Sequence, residues 1–426
     1  MTEKTMPTCE KLSALLSLPA LPPSLQERWE VAAKCYSDNF LSDAALDDIY
    51  RVCQFPEDIA QVLAETVAAV RGNQALRDYA WLWYTALFLA GDPPLQDYAA
   101  WPLPEAALGE QAVIFPAVII LAGFRHMLDL HRSAGISEEV TLATGSDLTV
   151  WMRHYHRNHG QWGLAQLPWL TKHCRAKIFR LGRLQFEPVT YDGSLRAFKH
   201  RGTGEVVAVS EPGITYRCDG LIDGTNHVHD AQAWVSELEI GADVIRGHPI
   251  VPTGYARQEK IALPADLWEQ KLAPGDPTMT VHVPEDGRMT QDLCGESFAR
   301  VDDFFSRHCP RLPRFTAYAT GSWMFDIQLQ QLLPPTANIV LFLREFYLSP
   351  SLSYQEETFF RIFGHMPADL TTAPRNTSLE RAVLDFTLAG NALRSACGFI
   401  LREDLQWGSQ RYLRRYEDQG LAGAGS

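Results

Sequence analysis

Few residues in this chain have the type and spacing that chemistry requires. His282 closes the run Thr278 to Pro284, and its neighbours Val281 and Val283 point to the opposite face of a strand. A lone strand histidine is more often a structural hydrogen-bonder than a base. Here a strand-loop-helix turn follows at once, Glu285-Asp286-Gly287-Arg288-Met289-Thr290, and such a turn offers backbone N–H groups to an anion. The next strand ends Gly321-Ser322-Trp323. Ser322 can donate or relay a proton. Trp323 can line an apolar tunnel or pack in a core, with equal force on sequence grounds.

A third signal is a charge asymmetry. No Asp or Glu lies between Leu148 and Phe186, whereas Arg153, Arg157, Lys172, Arg175, Lys177, Arg180 and Arg183 all do, with His154, His156, His159 and His173. The segment reads either as an anion dock for the phosphates of a cofactor or an acidic carrier, or as a solvated basic face. On a helix His154 and His156 point about 200° apart, so they cannot share one metal ion. The polar cluster Asp219, Asp223, Asn226, His227, His229 and Asp230 is rich in Asp-Gly and reads as turns. There is no G-x-S-x-G, P-loop, H-E-x-x-H or G-x-G-x-x-G after a strand.

The elements that must position these residues change character along the chain. Leu25-Gln26-Glu27-Arg28 opens a helix that Ser24 can cap; Leu46 to Cys53, Ile59 to Val70, Asp78 to Ala90 and Ser137 to His156 repeat apolar residues at helical spacing, the last with a break at Gly145. The apolar run Ala112 to Phe124 reads as a buried helix, too short to span a bilayer. Near Trp169 the texture becomes strand-like: Ala176 to Pro188, then a hairpin from Leu195 to Ser210 turning at Arg201-Gly202-Thr203-Gly204. After a loop-rich stretch come a strand (Thr278 to Pro284), a helix (Met289 to Cys309), a strand (Phe315 to Phe325), a short helix capped by Asp326 (to Leu333), a strand (Asn338 to Leu348) and a helix (Ser378 to Leu393). The tail Gly420 to Ser426 reads as disordered. The fold class expected is α+β: a helical domain over 1–170 and a mixed-sheet domain over 171–426, with a loop-rich insertion at about 190–272.

The 426 residues carry 38 Lys and Arg against 51 Asp and Glu, a formal charge of −13. That argues against a chain that wraps nucleic acid or lies on anionic lipid. The eight cysteines are spread singly with no C-x-x-C, which argues against a zinc knuckle and for a reducing, cytoplasmic setting. The N-terminus does not read as a signal peptide.

With these pieces on the page, the sequence resembles a bacterial family that joins a helical N-terminal domain to a C-terminal domain of GNAT type, the common N-acetyltransferase fold. The resemblance runs from about residue 40 to 415. It is carried by Asp129-Leu130-His131-Arg132, Trp151-x-Arg153-x-Tyr155, Phe179-Arg180-Leu181-Gly182-Arg183-Leu184-Gln185-Phe186-Glu187 and Asp219-Gly220-Leu221-Ile222-Asp223-Gly224-Thr225-Asn226. Val281-His282-Val283-Pro284, Gly321-Ser322-Trp323 and Ala373-Pro374-Arg375-Asn376-Thr377-Ser378 continue it. The resemblance implies acyl transfer without a metal, from acyl-CoA or an acyl-phosphopantetheine carrier protein to a small amine or a peptide. Some similar proteins attach fatty acyl chains to ribosomal peptides, which implies a place in lipopeptide maturation. Mapped onto that scheme, a pantetheine arm slots between the Thr278 and Phe315 strands. His282 is then the base and Ser322 protonates the leaving thiolate. Val281, Val283, Trp323, the turn Asp286, Gly287, Arg288, Met289 and Thr290, and the basic Arg180 and Arg183 hold the donor. One departure stands out. The Arg/Gln-x-x-Gly-x-Gly/Ala run that grips the coenzyme A pyrophosphate is missing from Glu285 to Gly295. This points to a different grip, to a carrier-protein donor, or to a catalytically silent binding module; O-acylation is a further alternative.

Overall fold

A computed structural model describes residues 6–37, 39–93 and 96–419. The tail from Gly420 lies outside the described residues. The chain packs into two compact units: one from Met1–Gln185, Pro284–Gly287 and Asp302–Cys309, the other from Phe186–Val283, Arg288–Val301 and Pro310–Ser426.

The first unit is helical. Its centre is the helix Phe115–Ser133, in which Phe115, Ile119, Ile120, Leu121 and Phe124 are all fully buried. Gln74–Tyr84 packs Tyr79 and Trp83 on Phe115, with ring centroids 5.7 and 5.3 Å apart. Aromatic contacts of this kind add to the area each ring buries, so the aromatics of this segment serve as core. The helical stretch Glu105–Ser133 is longer than the apolar run suggests, and by length and composition could cross a membrane. However, 67% of its most apolar window is buried against the rest of the protein, as expected of a core helix. The break foreseen at Gly145 is real: Glu138–Gly145 ends and Asp147–His159 begins. Ser24 caps nothing. It sits inside the short helix Pro23–Gln26 and accepts from Trp101 Nε1 at 3.0 Å.

The principal sheet has six strands: β1 (Phe179–Leu181), β2 (Leu184–Thr190), β3 (Pro277–His282), β4 (Ala317–Ser322), β5 (Tyr347–Pro350) and β6 (Ala396–Leu401), in the order β1-β2-β3-β4-β6-β5. The run from Ala176 thus makes two strands rather than one, separated at Gly182 (φ 77°), where the backbone is left-handed and glycine is the residue without a Cβ penalty. β3 and β4 are parallel; β6 is antiparallel to β4 and to β5. The hairpin Leu195–His200 with Val206–Ser210 forms as expected, with Lys199 opposite Val206. The stretch read as loops is instead threaded with short strands. Val244–Gly247 pairs with both Leu238–Ile240 and Ile261–Pro264, and Pro249–Val251 joins the hairpin in a five-stranded sheet.

Four further expectations are corrected. Asn338–Leu343 is a helix, and the strand is only Tyr347–Pro350. The five-residue apolar run Ile339 to Leu343 satisfies either element, and here the helix buries Val340, Phe342 and Leu343. The strand begun at Phe315 stops at Ser322, and Trp323–Phe325 is a 3₁₀ turn. Asp326 does not cap the helix Leu329–Leu332, whose cap position is Gln328. The helix Ser378–Leu388 starts on a capping box between Thr377 and Glu380 and is shorter than expected.

Candidate active site

Thr278 pairs with Ala317, Met279 with Tyr318 and Thr280 with Ala319; there the parallel ladder stops. Both strands continue, β3 to His282 and β4 to Ser322, and β4 stays paired with β6 up to Ser322–Ala396. Two parallel strands that part at their C-terminal ends no longer spend their facing backbone groups on each other. The unpaired stretch beyond Thr280–Ala319 is a gap in the ladder whose backbone N–H and C=O groups are open to an extended arm.

Strand alternation assigns the faces of the gap. His282 lies on the face of Thr280, Ala319 and Gly321, with Cys397 across the ladder from Gly321. Ser322 lies on the other face, with Tyr318 and Thr320. The structure therefore brings His282 and Ser322 to the same end of the gap but from opposite sides of the sheet.

His282 is held by a residue to which the sequence assigned no role. Its Nε2 donates to Glu187 Oε2 at 3.1 Å, and the Glu187 side chain is only 8% exposed against 25% for His282. The acid comes from β2, the neighbour of β3 in the sheet. A carboxylate on Nε2 fixes the tautomer, makes the other ring nitrogen the basic one, and stabilises the imidazolium that forms when it takes a proton. Glu187 was visible only as the acid ending the acid-free segment, at the end of the buried half of its strand.

Ser322 Oγ accepts from Met324 N at 3.1 Å and so starts the 3₁₀ turn, which leaves its O–H as a donor. Trp323 lies in that turn, half-buried, rather than on the strand. Val281 is buried and Val283 half-buried. Beyond β3, Thr290 Oγ1 accepts from Leu293 N at 3.4 Å and caps the helix Gln291–His308, while Met289 is half-buried and Arg288 exposed.

In the helical unit the segment Pro284–Gly287 carries two acids, and four of the basic residues expected to form an open anion dock, His154, Arg157, Arg180 and Arg183, are engaged by it. His154 Nδ1 lies 2.8 Å from Glu285 Oε2, and Arg157 pairs with the same carboxylate. Arg180 Nη1 donates to Asp286 Oδ2 at 2.9 Å, and Arg183 Nη2 donates to the carbonyls of Pro284 (2.7 Å) and Gly287 (3.3 Å). These arginines fasten the turn, and their charge is partly spent on its acids. His156 and His159 stack on Trp162 and Tyr155.

The polar cluster at 219–230 is knitted to itself. His229 Nδ1 meets Asp223 Oδ2 at 2.8 Å, Asp230 N donates to Asp223 Oδ1, and Asn226 ties Leu393 O and Gln355 N. Among the described residues no three His, Cys, Asp or Glu side chains converge as metal ligands. Cys397 has open side-chain surface although it lies on a strand paired on both sides, and burial pushes its thiol up to about 11. Its sulfur lies close beside Gly321.

The sequence matches the model of the GNAT-like C-terminal domain over residues 178–400, more than half the chain, and that of the N-acyltransferase N-terminal domain over 44–176. This chain belongs to the GNAT-like acyltransferases. Solved acyltransferases share the fold of this family member. A mutant acyltransferase in complex with octanoyl-CoA superposes with a TM-score of 0.60 at 21% identity, covering 93% of this chain and 99% of that one. An acyltransferase in complex with decanoyl-CoA and teicoplanin gives 0.59 at 21% identity, with the same coverage. An acyltransferase in complex with decanoyl-CoA alone gives 0.58 at 18%, covering 94% and 100%. A search of curated proteins returns no significant match to this GNAT-like acyltransferase.

Proposed function

We propose that the protein transfers a medium or long acyl chain from acyl-CoA directly to an amine, with His282 as the base and Glu187 as its positioning residue. One observation carries the reading: the β3–β4 ladder ends at Thr280–Ala319, and a histidine braced by a buried carboxylate stands at the edge of the gap. The donor's pantetheine arm lies in that gap with its thioester at the C-terminal ends of the strands. The amine nitrogen attacks the thioester carbonyl and a C–N bond forms. Its proton passes to the basic nitrogen of His282, which gives it up to solvent; the C–S bond breaks, and the thiolate is protonated through Ser322 Oγ, which hands on its proton and takes one back from solvent on the other face. Backbone N–H groups at the end of β3 polarise the carbonyl. No acyl-enzyme is formed. The fold shared with acyltransferases that hold octanoyl- and decanoyl-CoA supports a donor of that length, and the teicoplanin complex supports a peptide acceptor, as in lipopeptide maturation. All eight cysteines are free, in keeping with a cytoplasmic setting.

The missing pyrophosphate run, together with the engagement of Arg180 and Arg183 by the turn's own oxygens, favours a second donor: an acyl carrier protein, which brings no adenosine diphosphate to grip. Thermal shift against acyl-CoAs from acetyl to palmitoyl and against acyl carrier proteins tests both. A ligand of the native state raises Tm. A shift that grows with CoA chain length supports the reading. A shift with carrier protein alone transfers the donor role to it. No shift with either moves the assignment to a silent binding module.

A further inference from the structure

A guanidinium is mounted at the end of β6. Arg394 lies two residues before Ala396, the ladder partner of Ser322. Its backbone N donates to Asp326 Oδ2 at 3.0 Å, and its Nε stands 3.8 Å from Asp326 Oδ1; that carboxylate is 1% exposed. Its Nη2 donates to Tyr255 Oη, and its plane sits over the Tyr255 ring, 4.9 Å from the centroid. The segment around it is clamped as well. Gln328 Nε2 donates to Ala392 O at 3.1 Å, Ser351 and Ser353 donate to Ser395 O, and Ser395 N donates back to Ser353 Oγ. Neither Nη1 nor Nε has a hydrogen-bond partner among the described residues, Nε making only the longer ion pair with Asp326, and the side chain keeps 13% of its surface open. Ordering an arginine costs side-chain entropy, and a pre-ordered guanidinium with an edge open presents N–H donors that match a carboxylate.

We propose that Arg394 is a specificity residue that binds a carboxylate of the acceptor and so orients its amine toward the gap. This rests on the acyl-transfer reading and deepens it: the acceptor class becomes an amino acid or peptide with a free carboxylate, as opposed to a simple amine. Tyr255 keeps the fork flat and Asp326 sets its direction. The rival source of the same anion chemistry is a phosphate of the donor.

The test separates these sources and does not depend on turnover. Binding of hippurate and of its amide is measured by calorimetry in the wild-type protein, Arg394→Met, Arg394→Lys and Tyr255→Phe, and coenzyme A is titrated into each. The wild type is expected to bind hippurate at least tenfold more tightly than the amide, the size of a charge-assisted contact. Arg394→Met removes the preference, Arg394→Lys keeps part of it, and Tyr255→Phe, which removes one hydroxyl, costs about threefold. Coenzyme A affinity stays the same throughout. A wild-type protein that does not discriminate overturns the proposal. So does a loss of coenzyme A affinity in Arg394→Met, which assigns the guanidinium to the donor. With phenylalanine and its amide as acceptors, Arg394→Met raises KM for the acid about tenfold and leaves kcat within twofold. Absence of transfer to either acceptor counts against the acyl-transfer reading, and the hippurate result still decides the role of Arg394.

Discussion

Glu187→Gln isolates the contribution of the buried acid. The substitution keeps size and hydrogen-bonding reach but removes the charge that faces the imidazolium. At the observed 3.1 Å, a carboxylate–imidazolium pair is worth about 5 kcal/mol at an effective dielectric of 20. His282 is a quarter exposed, so solvent screening reduces that by about half. A loss of about 2–3 kcal/mol in the proton-transfer step corresponds to roughly a 30- to 150-fold drop in kcat. The acid acts through His282, so KM for acyl-CoA is expected to stay within about twofold. The assay follows release of the coenzyme A thiol from octanoyl-CoA in the presence of an amine, together with thermal melts to show that the variant folds. A kcat within threefold of wild type would refute the argument, because the brace would then be packing alone. A comparable fall in donor affinity would refute it differently, placing Glu187 in the donor site.

Other outcomes follow from the same structure. Cys397, with its thiol pushed up to about 11, is protonated at neutral pH. Its labelling by iodoacetamide, mapped by peptide mass, rises about tenfold per pH unit from 7 to 10; a plateau by pH 9 contradicts the raised value. His131 is buried against Phe179, and burial, with the nearby His308, lowers it to about 4. A histidine whose folded value lies below its unfolded value of about 6.5 stabilises fully above 6.5 and loses that stability as pH falls toward 4. By pH 4.5 the loss is about 2–3 kcal/mol. Denaturant melts of His131→Leu therefore show an acid limb flatter by that amount, and an unchanged slope disproves the linkage.

Much of the scaffold was readable from local pattern. Phe298, Val301 and Phe305 at helical spacing mark the helix Gln291–His308, and Arg201-Gly202-Thr203-Gly204 marks a hairpin, because periodicity and turn chemistry are local properties. The helix Asn338–Leu343 was not legible, since five apolar residues in a row fit a strand or a helix and tertiary burial decides. The strands between 211 and 272 were hidden for a similar reason: they are two to five residues long and lie among glycines and prolines. At the site, His282 and Ser322 stood out by residue type and position. Glu187 did not, because its partner is 95 positions away and only the adjacency of β2 and β3 brings them together. The opposite faces of His282 and Ser322 are likewise a matter of register, which one strand alone does not reveal. The basic segment was correct as composition, but the acids that engage it sit on Glu285 and Asp286, more than a hundred residues later.

The central claim is direct acyl transfer to an amine with His282 as the proton acceptor. The most direct measurement is the single-turnover reaction of decanoyl-CoA with a peptide amine, followed by mass spectrometry of product and protein, for wild type and His282→Gln. The account predicts an N-decanoyl product in the wild type, no acyl adduct on the protein at any time, and a rate at least a hundredfold lower in His282→Gln with donor binding retained. Equal rates in the two proteins, or an acyl-enzyme that forms and decays in step with product, would contradict it.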